Sequence, residues 1–224
     1  FIAKHIIDFF GEKGESSIRS GLRNYGYDRG KTSRTKHLKV NAKFNMKNLF
    51  TLYHDLPSDP RFRRELQELN AQERVSHTLI CPMADIWKKY GHMSIGRIYC
   101  EEFHSACYGT YGYGYTQVNL AKTLTQENDE YCSFNVVLRP QVLPEDLRAE
   151  CFEEYDIKYE EHDFPHIDIK GKEGFNVLSI KIYYYLLKAV KEQLGEEGIK
   201  VLTKGLESFA NTAALRLKDS ARED

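Results

Sequence analysis

Two short segments in the middle of the chain carry side chains that could do covalent or acid–base chemistry. In the first, Cys81 is followed by Pro82, and proline is favoured at the first position of a helix. Unpaired amides and the helix dipole stabilise a thiolate at such an amino terminus, so Cys81 is a candidate nucleophile or ligand. The alternative is a small buried side chain between a strand and a helix.

The second segment, residues 99–104, gathers a thiol, two carboxylates and an imidazole within one or two helical turns. If it is helical, Cys100 and His104 share a face at positions i and i+4. We predict Cys100 as the nucleophile, Glu102 as the acid or base and His104 as the proton carrier. The alternative is a partly exposed helix whose carboxylates only face solvent.

A predicted β-hairpin supplies further candidates. Its strands, 116–125 and 131–138, surround a polar turn at 126–129. Lys122 could hold a substrate carboxylate, or it could lie on the wet face of an antiparallel sheet. Strand register decides which side chains share a face. The predicted substrate-binding residues are Cys81, Asn119, Lys122, Cys132 and Phe134.

Reactive sites are normally assembled from the ends of several elements. A helix amino terminus, a carboxylate-bearing segment and a sheet strand each contribute one thiol here. We therefore expect Cys81, Cys100, Glu102 and Cys132 to converge on one cavity.

A bound metal is an alternative that the spacing of several residues leaves open. His77 with Cys81, and Cys100 with His104, have ligand-like spacing. A second cluster contains His162, Asp163, His166 and Asp168. None of these is a CxxC pair, so we predict no metal and no other cofactor.

Helical patterns flank this centre on both sides. Apolar residues recur at helical spacing in 2–10, and a glycine break then leads to a second helix over 15–37. The same arrangement returns after the helix 175–193, where Gly195 corresponds to Gly11 and Gly205 to Gly21. The hairpins are an internal duplication or two unrelated hairpins with similar turns. Either way, we expect them to pack together or against a second subunit around the sheet.

The remaining segments complete an α+β pattern. Residues 61–74 are interpreted as a charged, solvated helix, 74–80 as a strand and 82–90 as a helix. Tyrosine alternates with glycine in 108–115, which suggests a flexible aromatic loop that could cover a pocket. One short helix is expected within 144–163. The centre is therefore predicted to be antiparallel β with helices around it.

Composition narrows the class of protein. A chain of 224 residues is expected to form a single domain, 1–224. Its 32 lysines and arginines nearly cancel 33 aspartates and glutamates, so we expect no nucleic-acid partner. No apolar run is long enough to cross a bilayer and no signal segment is visible, so we expect no membrane partner and a cytoplasmic location. The five cysteines are expected to stay reduced.

The residues discussed above also resemble a known family. The segments 10–14 and 25–30, together with Cys81-Pro82, Ile95-Gly96 and Tyr99-Cys100, are similar to the L-2-amino-thiazoline-4-carboxylate hydrolase family. So are residues 122–124 and 132–134. The family tends to place aspartate where this chain has Glu102 and Ser133. The centre is also similar to the 4-vinyl reductase domain, which implies an α+β core with a four-stranded antiparallel sheet.

The resemblance implies a hydrolase that opens a small cyclic substrate at a carbon–nitrogen bond, with a cyclic amidine as the electrophile. Two alternatives stay open. One is a non-catalytic sensor that binds a small molecule or a tetrapyrrole. The other is a ring-opening C–C hydrolase or an isomerase on the same scaffold, for which the many tyrosines would suit an aromatic substrate. A small-molecule substrate is the expected partner, and assembly into a homo-oligomer is left open.

Overall fold

The computed structural model describes residues 1–52, 60–164 and 175–223. The helices are α1 (Ile2–Phe10), α2 (Glu12–Leu38), α3 (Met46–Thr51), α4 (Pro82–Lys89), α5 (Met93–Tyr111), α6 (Glu145–Cys151) and α7 (Phe175–Glu223). The strands are β1 (Arg63–Leu69), β2 (Glu73–Ile80), β3 (Gln117–Lys122) and β4 (Cys132–Val137). Short 3₁₀ turns cover Pro140–Val142 and Glu153–Tyr155. Among the described helices, none has an 18-residue stretch apolar enough to span a membrane.

The four strands form one antiparallel sheet in the order β1-β2-β4-β3. This confirms the predicted α+β class with a central four-stranded antiparallel sheet flanked by helices and the predicted hairpin of β3 and β4. On the central strand β4, alternate residues Cys132, Phe134 and Val136 are buried. They lie on the face that packs against α5, where Phe134 contacts the ring of His104 at 4.9 Å between centroids. The core therefore lies between α5 and the sheet.

The chain forms two compact units. The helical unit contains residues 1–22 and the chain from Ser179 onward, and the sheet unit contains the described residues between Arg23 and Leu178. The expectation of a single domain over 1–224 stays a prediction.

The helical unit consists of two hairpins with matching corners. Gly11 and Gly195 both adopt left-handed φ values, 57° and 64°. A Cβ on Gly21 would lie 3.0 Å from the Leu186 side chain, and a Cβ on Gly205 would lie 2.8 Å from the Cα of Ile2. In each hairpin, the glycine on the second helix thus lets the first helix of the other hairpin pack closely against it. The hairpins pack together as predicted, and the reciprocal contacts favour internal duplication.

The interpretation of 61–74 as a helix is wrong. The segment forms strand β1 and the turn into β2, and β1 pairs with β2 from Arg63 opposite Ile80 to Leu69 opposite Arg74. Because β1 is an edge strand exposed over most of its length, it carries charged residues instead of the apolar alternation that identifies a buried strand. Its solvent exposure agrees with the prediction.

The expected flexible aromatic loop at 108–115 is also wrong in its first half. Tyr108 and Tyr111 belong to the last turn of α5 and are buried. Tyr111 shares a hydrogen bond of 2.8 Å with the buried His37. The glycines suggested a loop, but the packing of the tyrosines against the core extends the helix as far as Tyr111.

Candidate active site

A small cavity lies on the side of the sheet that faces α5. Its volume is about 110 Å³. The lining residues come from α3, β1, β2, α4, α5 and β4 and from the turn before β1: Phe50, Phe62, Arg64, Arg74, Thr78, Cys81, Met83, Trp87, Tyr99, Cys100, His104, Tyr108, Cys132 and Phe134. Aromatic rings form much of the wall, and the charged side chains among these residues are the two arginines.

Three of the four residues expected to converge do so. Cys81, Cys100 and Cys132 all line the cavity, although they lie on different elements. Cys81 is the N-cap of α4 and Pro82 is the first residue of that helix, as predicted. Cys100 lies in the first half of α5, and Cys132 begins β4. All five cysteines of the chain are free thiols.

Burial acts on the three cavity thiols to different degrees. It raises the pKa of Cys100 to about 12, with the neighbouring thiols Cys132 and Cys81 adding to the effect. It raises the pKa of Cys132 to about 11, although the backbone N–H of Leu124 donates to the Cys132 sulfur at 3.3 Å and Arg64 also opposes the rise. Burial also raises the pKa of Cys81, but the backbone N–H groups of Met83 and Ala84 and the guanidinium of Arg64 oppose that rise. Cys81 therefore has the surroundings that best support a thiolate.

Cys100 and His104 share the cavity-facing side of α5, as their spacing predicts. The imidazole of His104 packs against Phe134 and, at 5.9 Å between centroids, against Tyr108. Burial, followed by the positive charges of Arg64 and Arg74, lowers the pKa of His104 to about 4. His104 is therefore a neutral imidazole at neutral pH. Its role as proton carrier, like that of Cys100 as nucleophile, stays a prediction.

Two arginines that the sequence analysis did not select provide the positive charge. The guanidinium of Arg64 lies 3.9 Å from the ring centroid of Phe62, and that of Arg74 lies 4.3 Å from the centroid of Phe50. Arg64 is exposed as a whole residue although its guanidinium is partly desolvated, and Arg74 is half-buried. Burial lowers the pKa of both groups, yet a guanidinium stays charged at neutral pH. Two stacked cations at one cavity suit a carboxylate ligand.

The placement of Glu102 in the same cavity is wrong. Residues two apart on a helix point about 200° apart, so Glu102 lies on the other side of α5 from Cys100. It lines a separate, open groove of about 610 Å³ between α2 and α5. There its carboxylate accepts a hydrogen bond of 2.8 Å from Arg23. This groove is larger, but it holds none of the three thiols.

The predicted substrate-binding residues of the hairpin do not all lie on the cavity side of the sheet. Phe134 and Cys132 line the cavity, and their role in substrate binding stays a prediction. Asn119 and Lys122 are exposed on β3 and do not line it. The ammonium of Lys122 lies 4.9 Å from the ring centroid of Tyr131. The register of β3 and β4, with Leu120 opposite Phe134, turns Leu120 toward the core and Asn119 away from it.

No group of three or more His, Cys, Asp or Glu side chains among the described residues is arranged to hold a metal ion. Of the second candidate cluster, His162 and Asp163 are described, whereas His166 and Asp168 lie outside the described residues. His162 contacts the backbone carbonyl of Val40 at 3.3 Å. That contact ties His162 to the turn after α2.

Comparison with known proteins gives one family. The family model described as L-2-amino-thiazoline-4-carboxylic acid hydrolase matches residues 2–136, more than half of the chain. The match includes Cys81, Cys100, His104 and Cys132. No curated protein and no solved structure matches significantly.

Proposed function

Since the chain belongs to the L-2-amino-thiazoline-4-carboxylic acid hydrolase family, we propose that it hydrolyses a small cyclic amidine bearing a carboxylate, opening the ring at a carbon–nitrogen bond. The observation that supports this most directly is the meeting of three thiols and two guanidiniums in one aromatic cavity. The thiols provide a nucleophile and the guanidiniums provide a partner for the carboxylate.

The size of the cavity fits a small ring. Sites for drug-sized ligands have volumes of about 300–1,000 Å³, whereas this one has about 110 Å³. The aromatic side chains of Trp87 and Phe134 form walls against which a planar ring can pack. The same volume argues against a tetrapyrrole-binding sensor, because a tetrapyrrole is itself a drug-sized ligand or larger.

Arg64 and Arg74 are proposed to bind the carboxylate in place of Lys122. Both guanidiniums line the cavity, whereas Lys122 is exposed at the end of β3 and its ammonium contacts the ring of Tyr131. The rings of Phe62 and Phe50 hold the two guanidiniums by cation–π contact. A preorganised pair of cations loses little side-chain entropy on binding an anion.

Cys81 is proposed as the nucleophile instead of Cys100. The Cys81 thiol passes its proton to the ring nitrogen as its sulfur attacks the amidine carbon and forms a carbon–sulfur bond. The ring carbon–nitrogen bond then breaks as a second proton reaches that nitrogen, which is released as an amine. Water hydrolyses the resulting enzyme adduct and returns the thiol. Tyr108, whose pKa burial raises to about 12, stays protonated at neutral pH and lines the same cavity, so its hydroxyl is a proton donor for the leaving nitrogen.

Turnover of L-2-amino-thiazoline-4-carboxylate by the purified chain tests this proposal. Ring opening at the carbon–nitrogen bond releases an amine and no thiol, so product should react with an amine reagent while free product thiol stays absent. Release of a thiol would mean that the carbon–sulfur bond is cut. Absence of any turnover of this compound and of related cyclic amidines would reject the function.

Three cysteine variants locate the nucleophile. Cys81→Ser should reduce kcat by at least about 100-fold, since serine keeps the shape but does not readily form an anion. Cys100→Ser should cost much less. Cys151→Ala is the control, because Cys151 is buried on α6 and does not line the cavity. A larger loss in Cys100→Ser than in Cys81→Ser would restore Cys100 as the nucleophile.

A further inference from the structure

His104 is a polar group of the cavity with one ring nitrogen that the fold leaves without a hydrogen-bond partner among the described residues. Its Nδ1 atom is buried and has no hydrogen-bond partner among the described residues. Its ring contacts are aromatic, with Phe134, Tyr108, Phe103 and Tyr99. A buried polar group without a partner is unfavourable. Because His104 lines the cavity, a ligand bound there is a candidate hydrogen-bond partner for the imidazole.

The other polar groups of the cavity show which kind of hydrogen bond is needed. Arg64 and Arg74 only donate, and a neutral thiol is a weak donor and a weak acceptor. No carboxylate is found among the described lining residues. A neutral imidazole has one nitrogen with a free lone pair, which is a stronger acceptor than the hydroxyls of Thr78, Tyr99 and Tyr108. An N–H group on a ligand therefore finds its best acceptor in His104.

We propose that His104 acts as a neutral acceptor for an N–H group of the substrate and so restricts the site to small anionic rings that carry such a donor. This inference rests on the proposed function and deepens it, because it assigns a specificity-determining residue within that cavity. The positive charge of Arg64 and Arg74 supports the neutral state of the imidazole, since a third cation there would be repelled. An amidine is accordingly recognised in its neutral form.

A matched pair of thiazoles tests the proposal by binding alone. In 2-aminothiazole-4-carboxylate the amino group can donate, and in 2-methylthiazole-4-carboxylate a methyl group of similar size cannot. Calorimetric titration of the full chain should show roughly tenfold or more tighter binding of the amino compound, the factor expected for one buried hydrogen bond. The thiazole ring of either compound is aromatic and therefore resists ring opening, so the measurement does not depend on turnover.

Variants of His104 then assign the preference to this residue. His104→Phe keeps an aromatic ring and removes the acceptor, so the affinity ratio of the two thiazoles should fall to about one. His104→Gln keeps an acceptor oxygen and should retain part of the preference. His77→Gln is the control, because His77 lies against Tyr131 and outside the cavity, and its ratio should equal that of the wild type.

The possible outcomes separate this inference from the proposed function. Binding of both thiazoles without preference by the wild type, or an undiminished preference in His104→Phe, would overturn the role of His104 and leave the hydrolase proposal standing. Failure of both thiazoles to bind would overturn both proposals, because the cavity would then not accept a small anionic ring. If His104→Phe does not fold, the wild-type ratio and the His104→Gln ratio still decide.

Discussion

Replacing Arg74 by methionine should weaken the binding of an anionic ring without destabilising the fold. Arg74 lines the cavity and is half-buried, with its guanidinium over Phe50. A hydrogen bond to a charged group contributes about 1.5–3 kcal/mol, so loss of this partner should raise Kd for 2-aminothiazole-4-carboxylate roughly 10- to 150-fold. The free energy of unfolding should stay the same or rise, because methionine still packs against Phe50 while a partly buried charge close to Arg64 disappears.

Calorimetric titration and urea denaturation measure the two effects separately. Lys122→Met is the matched control, since it removes a cation from the exposed strand β3 and leaves the cavity unchanged. It should leave Kd within about twofold of the wild type. The reasoning fails if Arg74→Met binds the thiazole as well as the wild type does, or if Lys122→Met weakens binding to the same extent. A large loss of stability in Arg74→Met would show instead that the arginine serves the fold.

Two further outcomes are expected. A Cβ on Gly30 would lie 2.3 Å from the carbonyl oxygen of Cys107, whereas one on Gly109 would meet nothing within 4 Å. Gly30→Val should therefore lower the free energy of unfolding, measured by urea denaturation, by about 1–3 kcal/mol, and Gly109→Ala should not lower it. Equal losses in the two variants would contradict the close approach of α2 to α5 at Gly30. Burial lowers the pKa of His104 to about 4, so as the pH falls this imidazole is protonated in the unfolded chain before it is protonated in the folded protein. The free energy of unfolding should therefore fall as the pH drops from about 6.5 toward 4. His104→Phe should flatten this part of the stability profile, and an unchanged slope would speak against a buried neutral imidazole.

Local sequence patterns correctly predicted the elements in which the local pattern and the tertiary packing favour the same secondary structure. The hairpin of β3 and β4 has a polar turn between apolar segments, and α4 has a proline at its first position. Strand β1 could not be recognised in the same way. It lies at the edge of the sheet, so its charged side chains reflect protection of an exposed edge and not a buried face. The pairing that makes it a strand comes from β2, which is a tertiary interaction.

In the candidate site, too, some residues could be predicted from local spacing and others could not. Cys100 and His104 could be placed together because helical spacing relates them directly, and the same geometry, applied to Glu102, would have put that carboxylate on the other side of α5. Arg64 and Arg74 could not be found from spacing within one element. They reach the cavity from neighbouring strands, through a register in which Arg64 pairs with Thr78 and Arg74 with Leu69. That register is set by tertiary pairing.

The charge of the cavity limits how a reaction could begin there. Activation of water needs a base, but no carboxylate is present among the described lining residues and His104, with a pKa lowered to about 4, is a weak base at neutral pH. A thiolate needs a cation or amide N–H groups near the sulfur, and Cys81 has Arg64, Met83 and Ala84 in those positions. The guanidinium of Arg64 thus favours both an anionic substrate and an anionic nucleophile. In the proposed reaction, the surroundings that would bind the anionic substrate are therefore the same surroundings that would favour attack by a thiol over attack by water.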